Sequence, residues 1–289
     1  MATAQRVVVT GASGKLGRFV VEHLAEAGYS VAATDRVAPP GGLPGDFTVA
    51  DLTDLGQVVE LLSGVDERRP ADAVVHLSAI PAPGLATNAA TFGNNVPSTY
   101  NVLRAAQVLG IRNVVTASSE TVLGLPFDVP PPYLPVDEEY DVLPQSTYSL
   151  GKSLEEEMAR HFARWDPTLK VAALRFSNVM RPQDYAQFPA WQDDPRARRW
   201  NLWGYIDGRD GAQAVRRALE ADFTGFEAFV IANADTVMER DSAGLAAEVF
   251  PDVPLRRPLE GRETLLGIDK ARRMLGYEPE HSWRQPPPR

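Results

Sequence analysis

The chain has 289 residues, a formal net charge of −9 and no cysteine. This length allows a buried core in one or two domains, and the lack of cysteine excludes disulfides, cysteine nucleophiles and cysteine-ligated zinc. The acidic balance argues against nucleic acid as a partner, and no apolar run reaches the roughly 18 residues of a membrane span. With only 4 histidines and no secretory signal, we expect no metal, no membrane and a cytoplasmic protein.

The first half of the chain alternates short apolar runs with stretches of helical spacing. Strands are predicted at residues 6–10, 29–34, 73–77 and 113–117. Helices are predicted at residues 15–27, 54–62 and 94–109. Strands that alternate with helices form parallel sheets covered on both faces. The predicted fold class is therefore α/β, a Rossmann-type doubly wound parallel sheet.

Proline interrupts the second half of the chain. There are 24 prolines, and a group of them lies in residues 126–144, which we interpret as a stiffened loop. Beyond the loop, helices are predicted at residues 148–165, 207–221, 242–250 and 269–275, and strands at 169–176 and 228–232. Residues 182–194 are interpreted as irregular, and residues 285–289 as a proline-rich tail. We predict a single domain, 1–289, whose small C-terminal substrate-binding portion lies mainly in 177–206 and 233–289.

A glycine-rich turn follows the first strand and opens the first helix. Gly11, Gly14 and Gly17 have the spacing that lets a tight turn bring backbone amides against a pyrophosphate. Asp35 ends the second strand, where a carboxylate accepts hydrogen bonds from a ribose hydroxyl and repels a 2′-phosphate. The carboxylate predicts NAD rather than NADP, but the adjoining Arg36 can instead meet a 2′-phosphate, so NADP stays open as the less favoured alternative. The predicted cofactor contacts here are Gly11, Ser13, Gly14, Lys15, Leu16, Gly17, Asp35 and Arg36.

The pair Asp51 and Leu52 follows a further strand that we expect between the strand at 29–34 and the helix at 54–62. At this place the pair would lie against the edge of an adenine and contribute to cofactor binding. An N-cap role for Asp51 at the next helix is equally consistent with the sequence.

Tyr148 and Lys152 form a YxxxK pair at the start of a predicted helix. Positions i and i+4 share a helix face, so the ammonium can stabilise the phenolate and lower its pKa. The tyrosine can then exchange a proton with a substrate hydroxyl while a hydride moves to or from nicotinamide. Ser119 ends another parallel strand, where open sheets bind ligands, and can donate to the reacting oxygen.

These motifs together resemble the extended short-chain dehydrogenases/reductases of the NAD-dependent epimerase/dehydratase group. The matches are residues 10–17 with TGxxGxxG, 76–79 with HxAA, 94–101 with NNVxGTxN, 118–124 with SSxxVYG, 148–152 with YxxSK, 174–179 with LRxxNV and 207–210 with VRDV. Leu123, Gly151 and Met180 depart from the residues usual in that group. The resemblance covers residues 6 to about 220.

The resemblance implies a set of roles and an assembly. Ser119, Tyr148 and Lys152 would form the catalytic triad. It also implies cofactor contacts from Leu77, Ser78, Ala79, Asn95, Tyr148 and Lys152, and substrate contacts from Ser78, Ser119, Glu120, Arg175 and Asn178. A homodimer is common in the group, with the helices at 94–109 and 148–165 at the interface.

The substrate-binding region is short, because residues 182–199 leave little chain for a nucleotide pocket. The compact layout is similar to uronate dehydrogenases, in which an arginine matching Arg175 contacts a sugar acid. Glu120 weakens this interpretation, because a carboxylate would repel an anion and can instead hydrogen-bond a neutral sugar. Arg196, Arg198 and Arg199 are interpreted as a solvated surface run, and the aromatic residues around them are interpreted as core rather than as a sugar platform.

Three functions remain open at this point. The leading one is an NAD-dependent oxidoreductase acting on a hydroxyl or carbonyl of a small polar substrate, a sugar or sugar acid. The second is a nucleotide-sugar 4-epimerase or dehydratase that keeps NAD tightly bound. The third is a non-catalytic NAD(H)-sensing protein, which the presence of the tyrosine, serine and lysine makes the weakest.

Overall fold

A parallel sheet of seven strands forms the centre of the molecule. The computed structural model describes residues 4–66 and 68–285. The strands of the sheet are β1 (Arg6–Thr10), β2 (Ser30–Asp35), β3 (Asp46–Val49), β4 (Ala73–His76), β5 (Asn113–Ser119), β6 (Lys170–Phe176) and β9 (Gly225–Ile231). Two short strands, β7 (Val179–Met180) and β8 (Ile206–Asp207), pair with each other outside it.

The helices cover both faces of this sheet. They are α1 (Lys15–Glu26), α2 (Leu55–Ser63), α3 (Asn88–Leu109), α4 (Thr147–Trp165), α5 (Gly208–Glu220), α6 (Ser242–Val249) and α7 (Asp269–Leu275). One apolar cluster lies on the side of α1 and α5, and a second lies on the side of α2, α3 and α4. Burial on both faces explains why the central strands are almost wholly apolar.

The strand order is β3-β2-β1-β4-β5-β6-β9, and all neighbours are parallel. The order reverses direction between β1 and β4. Because parallel strands end at the same edge, the turns after β1, β4, β5 and β6 meet at this switch point, where open α/β sheets bind ligands. The predicted Rossmann-type fold is confirmed.

The structure differs from the sequence predictions mainly at element ends. Helix α3 begins at Asn88 with Thr87 as its N-cap, earlier than predicted, and Pro97 lies inside it. The segment interpreted as irregular contains a 3₁₀ helix, Pro182–Trp191. Of the predicted tail, residues 286–289 lie outside the described residues.

The proline-rich loop is held by hydrogen bonds to the C-terminal part of the chain. The amide of Leu134 donates to the carbonyl of Pro254, and the amide of Val136 donates to that of Leu265. The amide of Gly267 donates back to Val136. The loop between β5 and α4 is therefore fixed to the C-terminal part of the chain.

Two further observations concern the described residues. None of their helices is long and apolar enough to cross a membrane. They also contain no group of three or more His, Cys, Asp or Glu residues arranged to hold a metal ion.

Candidate active site

A cleft of about 550 Å³ opens at the carboxyl edge of the sheet. Glycine backbone and charged side chains line one end, which we call the cofactor end. Polar and aromatic residues line the other, which we call the substrate end. The lining residues are Gly11, Gly14, Lys15, Leu16, Gly17, Asp35, Arg36, Leu77, Ser78, Ala79, Pro81, Ala82, Pro83, Asn94, Ala117, Ser118, Ser119, Glu120, Thr121, Tyr148, Lys152, Phe176, Ser177, Asn178, Val179 and Trp200.

The glycine turn leaves the first turn of α1 open to the cleft. Gly14 is the N-cap residue, and no side chain caps the free amides behind it. A Cβ added at Gly11, whose φ is +69°, would lie 2.6 Å from the amide nitrogen of Ser78. At Gly17 it would lie 2.1 Å from the carbonyl oxygen of Gly11. Free amides at a helix N-terminus suit a diphosphate, so the turn fits NAD.

Asp35 lies at the end of β2 in the same cleft. One of its carboxylate oxygens accepts from the backbone amide of Ser13 at 3.1 Å, and the other accepts from the backbone amide of the next residue, Arg36, at 2.7 Å. The hydroxyl of Ser13 donates to the carbonyl of Val37. Ser13, which is not among the lining residues, thus holds Asp35 at the place where a ribose hydroxyl would need it.

Lys15 joins the cofactor end to the chain after β6. Its ammonium donates to the carbonyl of Val179 at 3.0 Å and lies 3.3 Å from the carboxylate of Asp184. The hydrogen bond from Arg181 holds the pKa of Asp184 far below its usual range. An ion pair therefore joins the cofactor end to the 3₁₀ helix that follows β7.

The three predicted catalytic side chains converge on the middle of the cleft. Ser119 ends β5 and accepts hydrogen bonds from Thr121, both from its amide and from its hydroxyl. Tyr148 and Lys152 lie on the first turns of α4, whose N-cap Ser146 forms a reciprocal capping box with Ser149. That cap fixes where the helix begins, and with it the position of the tyrosine.

Opposing effects act on the pKa of Tyr148. Burial raises it, while the Lys152 ammonium and the Ser119 hydroxyl lower it. The carboxylates of Glu155 and Glu120 raise it further. In the protein without ligands the phenol is therefore protonated at neutral pH, and it must lose this proton before it can accept one from a substrate hydroxyl.

Glu120 begins a group of buried polar atoms at the substrate end. One of its oxygens accepts from the Asn201 amide at 3.3 Å. Its other oxygen, the hydroxyl of Ser177 and the amide oxygen of Asn201 have no hydrogen-bond partner among the described residues. Burial raises the pKa of Glu120 to about 7, although the hydrogen bond from Asn201 and the charge of Arg198 lower it. Buried polar atoms without partners are costly, so a bound hydroxyl group or water has favourable places here.

A matching family model assigns the chain. The model of the NAD-dependent epimerase/dehydratase family matches residues 7–232. The chain belongs to this family. The resemblance to this family that was predicted from the motifs is confirmed.

Curated relatives of this family member include UDP-glucose 4-epimerases. It is 29% identical to UDP-glucose 4-epimerase 2 of Arabidopsis thaliana over 221 residues, which cover 70% of this chain and 59% of the relative. It is 28% identical to UDP-glucose 4-epimerase of Erwinia amylovora over 213 residues, covering 69% and 60%. The matched part thus spans about three-fifths of these relatives.

Solved structures agree on the fold. A UDP-galactose 4-epimerase superposes with a TM-score of 0.68 at 27% identity, covering 96% of this chain and 94% of that one. A short-chain dehydrogenase/reductase superfamily protein from Agrobacterium tumefaciens with bound NAD gives 0.73 at 24%, covering 96% and 94%. A mutated uronate dehydrogenase gives 0.69 at 22%, covering 96% and 82%. The last two show similarity of fold.

Arg175 is not at the position that was predicted for a substrate contact. Adjacent strand residues face opposite sides of a sheet, and here Phe176 faces the cleft while Arg175 does not line it. Its guanidinium forms two hydrogen bonds, at 2.9 and 2.8 Å, with the buried carboxylate of Glu156 on α4. The hydroxyl of Ser118, its neighbour across β5 and β6, donates to the same carboxylate at 2.5 Å. The prediction is corrected because Arg175 already has a buried partner.

Several residues that were predicted to contact the cofactor do not line the cleft. Asp51 and Leu52 are not among the lining residues, and the N-cap of α2 is Asp54 rather than Asp51. The Asp51 carboxylate accepts instead from Thr53. Asn95 is buried and bonds both the amide and the carbonyl of Ile80, so it fixes the loop after β4. Leu77, Ser78 and Ala79 on that loop do line the cleft, as does Asn178.

The arginine run is not uniformly solvated as predicted. Arg196 is exposed, but Arg198 is buried with its guanidinium 4.5 Å from the ring centre of Trp191 and 4.7 Å from that of Trp200. It donates to the carbonyl of Gly204, and burial lowers its pKa to about 10. Glu120 is the charged group that raises the pKa of Arg198, so this cation lies behind the substrate end.

The two segments predicted to bind substrate differ in their placement. Residues 177–179 and Trp200 of the first segment line the cleft. The described part of the second, residues 233–285, does not line it. That part supports the wall from behind, where Gln192 donates to the carbonyl of Val237 and Leu266 lies against Gly204. This segment is corrected to a supporting role.

Proposed function

We propose that this enzyme transfers hydride between NAD and a hydroxyl-bearing carbon of a sugar-like substrate, with Ser119, Tyr148 and Lys152 as the reacting site. The observation that carries the proposal is the convergence of these three side chains beside the open glycine turn. The non-catalytic alternative would leave this convergence without a purpose.

The chain's own residues have separate tasks in this proposal. NAD, when bound, supplies the hydride acceptor. Ser119 donates a hydrogen bond to the substrate oxygen and orients it towards the phenol of Tyr148. In the oxidising direction the deprotonated Tyr148 takes the proton of the substrate hydroxyl as the C–H bond breaks; in the reverse direction the phenol donates that proton. The Lys152 ammonium stabilises the phenolate that must be present before oxidation and that forms on reduction.

The charges that line the cleft favour an uncharged substrate. Among the described lining residues the cations are Lys15, Arg36 and Lys152. Lys15 lies against Asp184 and Lys152 against Glu155, while Arg36 follows Asp35 at the cofactor end, away from the substrate end. Glu120 is the charged side chain at the substrate end. We therefore propose a neutral polyhydroxylated compound rather than a sugar acid.

A substrate panel tests this function. Free aldoses, uronates, simple ketones and UDP-sugars are incubated with NAD or NADP, and NADH or NADPH absorbance is followed. Net NADH with a neutral sugar, and little with the matching uronate, is the expected result. Turnover of the uronate in preference to the sugar would overturn the substrate assignment and leave the hydride-transfer site in place.

The second candidate is a nucleotide-sugar 4-epimerase, favoured by the UDP-glucose 4-epimerases among the relatives. Length does not oppose it, because this chain covers 94% of the superposed UDP-galactose 4-epimerase. An epimerase returns the hydride in each cycle, so no net NADH forms. Purified protein that carries NAD and interconverts UDP-glucose and UDP-galactose without NADH would establish this candidate.

A further inference from the structure

Lys152 forms a buried ion pair with Glu155, three residues further along α4. The ammonium lies 2.8 Å from a carboxylate oxygen of Glu155, and the two side chains are 3% and 6% exposed. The same ammonium donates to the carbonyl of Ala117 on β5 at 2.8 Å. Removing an ion from water costs several kcal/mol, so a buried ammonium needs a counter-ion to keep its proton.

The other charged and polar groups around this pair do not replace Glu155. On α4, Glu156 is engaged by Arg175 and Tyr148 is neutral. From β4, His76 faces Lys152, and burial lowers the pKa of this imidazole to about 3, so it is uncharged. Among the described residues, Glu155 is thus the carboxylate paired with Lys152.

The hydroxyl of Thr99 on α3 begins a row of hydrogen bonds beside Glu155. Burial raises the pKa of Glu155, while the Lys152 ammonium and the Thr99 hydroxyl lower it. Thr99 is 3.1 Å from one ring nitrogen of His76, and Thr10 at the end of β1 is 2.8 Å from the other. Thr10 in turn accepts from the amide of Ser78 in the cleft. These contacts connect Thr99, beside Glu155, with the strands that build the cofactor end.

We propose that Glu155 is a positioning residue: it holds the Lys152 ammonium against Ala117 and neutralises part of its charge, so that the carboxylate sets the proton balance of the Tyr148–Lys152 pair. The proposal rests on the proposed function only in taking this pair as the reacting one. It adds a third ionisable group to the Tyr148–Lys152 pair, one that does not line the cleft.

The expected consequence is that the Tyr148–Lys152 pair releases its first proton at a higher pH when Glu155 is present than when it is absent. Glu155 raises the pKa of Lys152 directly and raises that of Tyr148 through its negative charge. From β5 and the turn after it, Ser119 lowers the pKa of Tyr148 and Glu120 raises it, and neither is altered by a change at Glu155. When Glu155→Gln removes the charge, the first proton must leave the pair at lower pH.

NMR titration of the whole protein tests this without a substrate. The chain has lysines only at 15, 152, 170 and 270, so ¹³C labels at lysine Cε and tyrosine Cζ are resolvable. Lys152→Arg and Tyr148→Phe identify the two signals. We expect Glu155→Gln to move the first titration step of the pair down by about one pH unit or more.

The matched control is Glu157→Gln on the same helix, an exposed residue paired with Arg160, which should titrate like the wild type. An unchanged titration in Glu155→Gln would overturn the proposal. If that variant does not fold, Glu155→Met supplies the same loss of charge with a side chain of similar length. Where a turned-over substrate is known, the acidic limb of kcat/KM should shift in the same direction. A failed substrate panel leaves the NMR result intact.

Discussion

The two ends of the cleft are built by different means. At the cofactor end the cleft is lined by backbone amides and glycines close in sequence, and the side chains of Lys15 and Asp35 have hydrogen-bond partners within the protein. At the substrate end, Glu120 and Ser177 line the cleft with Asn201 behind Glu120; the three come from separate segments, and each leaves a buried polar atom without a partner among the described residues. The cofactor end is complete in itself, whereas the substrate end is completed by what it binds.

This difference indicates which end of the cleft determines what is specific to this protein. A backbone cradle can recur in any chain that carries the glycine turn, because it depends on conformation rather than on side chains. A set of unpartnered side chains depends on each residue, since a buried polar atom is costly unless its ligand matches it. We expect changes at the two ends to separate into effects on NAD and effects on substrate.

The greatest loss of activity is expected for a change between the two ends of the cleft. Tyr148→Phe removes the proton acceptor but keeps the ring, so kcat/KM should fall about 10³-fold while NAD affinity is unchanged. Steady-state rates and calorimetric NAD titration measure the two. Tyr140→Phe, a buried tyrosine on the proline-rich loop, is the control and should retain activity. Turnover retained by Tyr148→Phe would refute the mechanism.

At the cofactor end, Gly11→Ala should weaken NAD binding about 10- to 100-fold, because its Cβ would meet the backbone at Ser78. Gly28→Ala is the matched control: its φ is +88° but a Cβ there meets nothing within 4 Å. It therefore carries the cost of the positive φ alone. If both variants bind NAD equally well, the close approach at Gly11 does not shape the cradle.

At the substrate end, Glu120→Gln tests the polar group directly. Because the pKa of Glu120 is raised to about 7, the wild-type carboxyl is protonated below that pH and charged above it. KM for a neutral sugar should therefore change by about tenfold across pH 7, and the change should be absent in Glu120→Gln. A variant with the wild-type pH profile of KM would show that Glu120 does not contact the substrate.

The smallest expected effect concerns the choice of cofactor. Asp35→Asn removes the charge that repels a 2′-phosphate, so the preference for NAD over NADP should fall about fivefold. Asp51→Asn is the control, because Asp51 does not line the cleft. A change of preference in Asp51→Asn instead would restore the original prediction that Asp51 contacts the cofactor.

The parts of the site that the sequence could predict are those that depend on local spacing. The glycine turn and the Tyr148–Lys152 pair each lie within a few residues of chain, so their geometry follows from a turn or a helix. Ser119 could be placed because strand ends meet at one edge. The strands and helices were predicted for the same reason, by patterns within short windows.

The rest depends on contacts between distant residues. A strand buried on both faces carries no alternation to show that Phe176 faces the cleft and Arg175 does not. The sequence does not distinguish Arg198 from the exposed Arg196, because only the fold brings two tryptophan rings against the Arg198 guanidinium. Glu155 lies in a run of three glutamates, and only the packing of α4 distinguishes the two buried ones from Glu157.

The hydrogen bonds that fix the proline-rich loop also determine when this loop can be fixed during synthesis of the chain. The partners of Leu134 and Val136 are made about 120 residues later in synthesis. At roughly 5–20 residues per second, the loop waits about 6 to 24 s on the ribosome before those partners emerge. The glycine turn, β2 and β4 are complete long before that. A nascent chain released early would hold a formed NAD cradle beside an unsupported substrate wall.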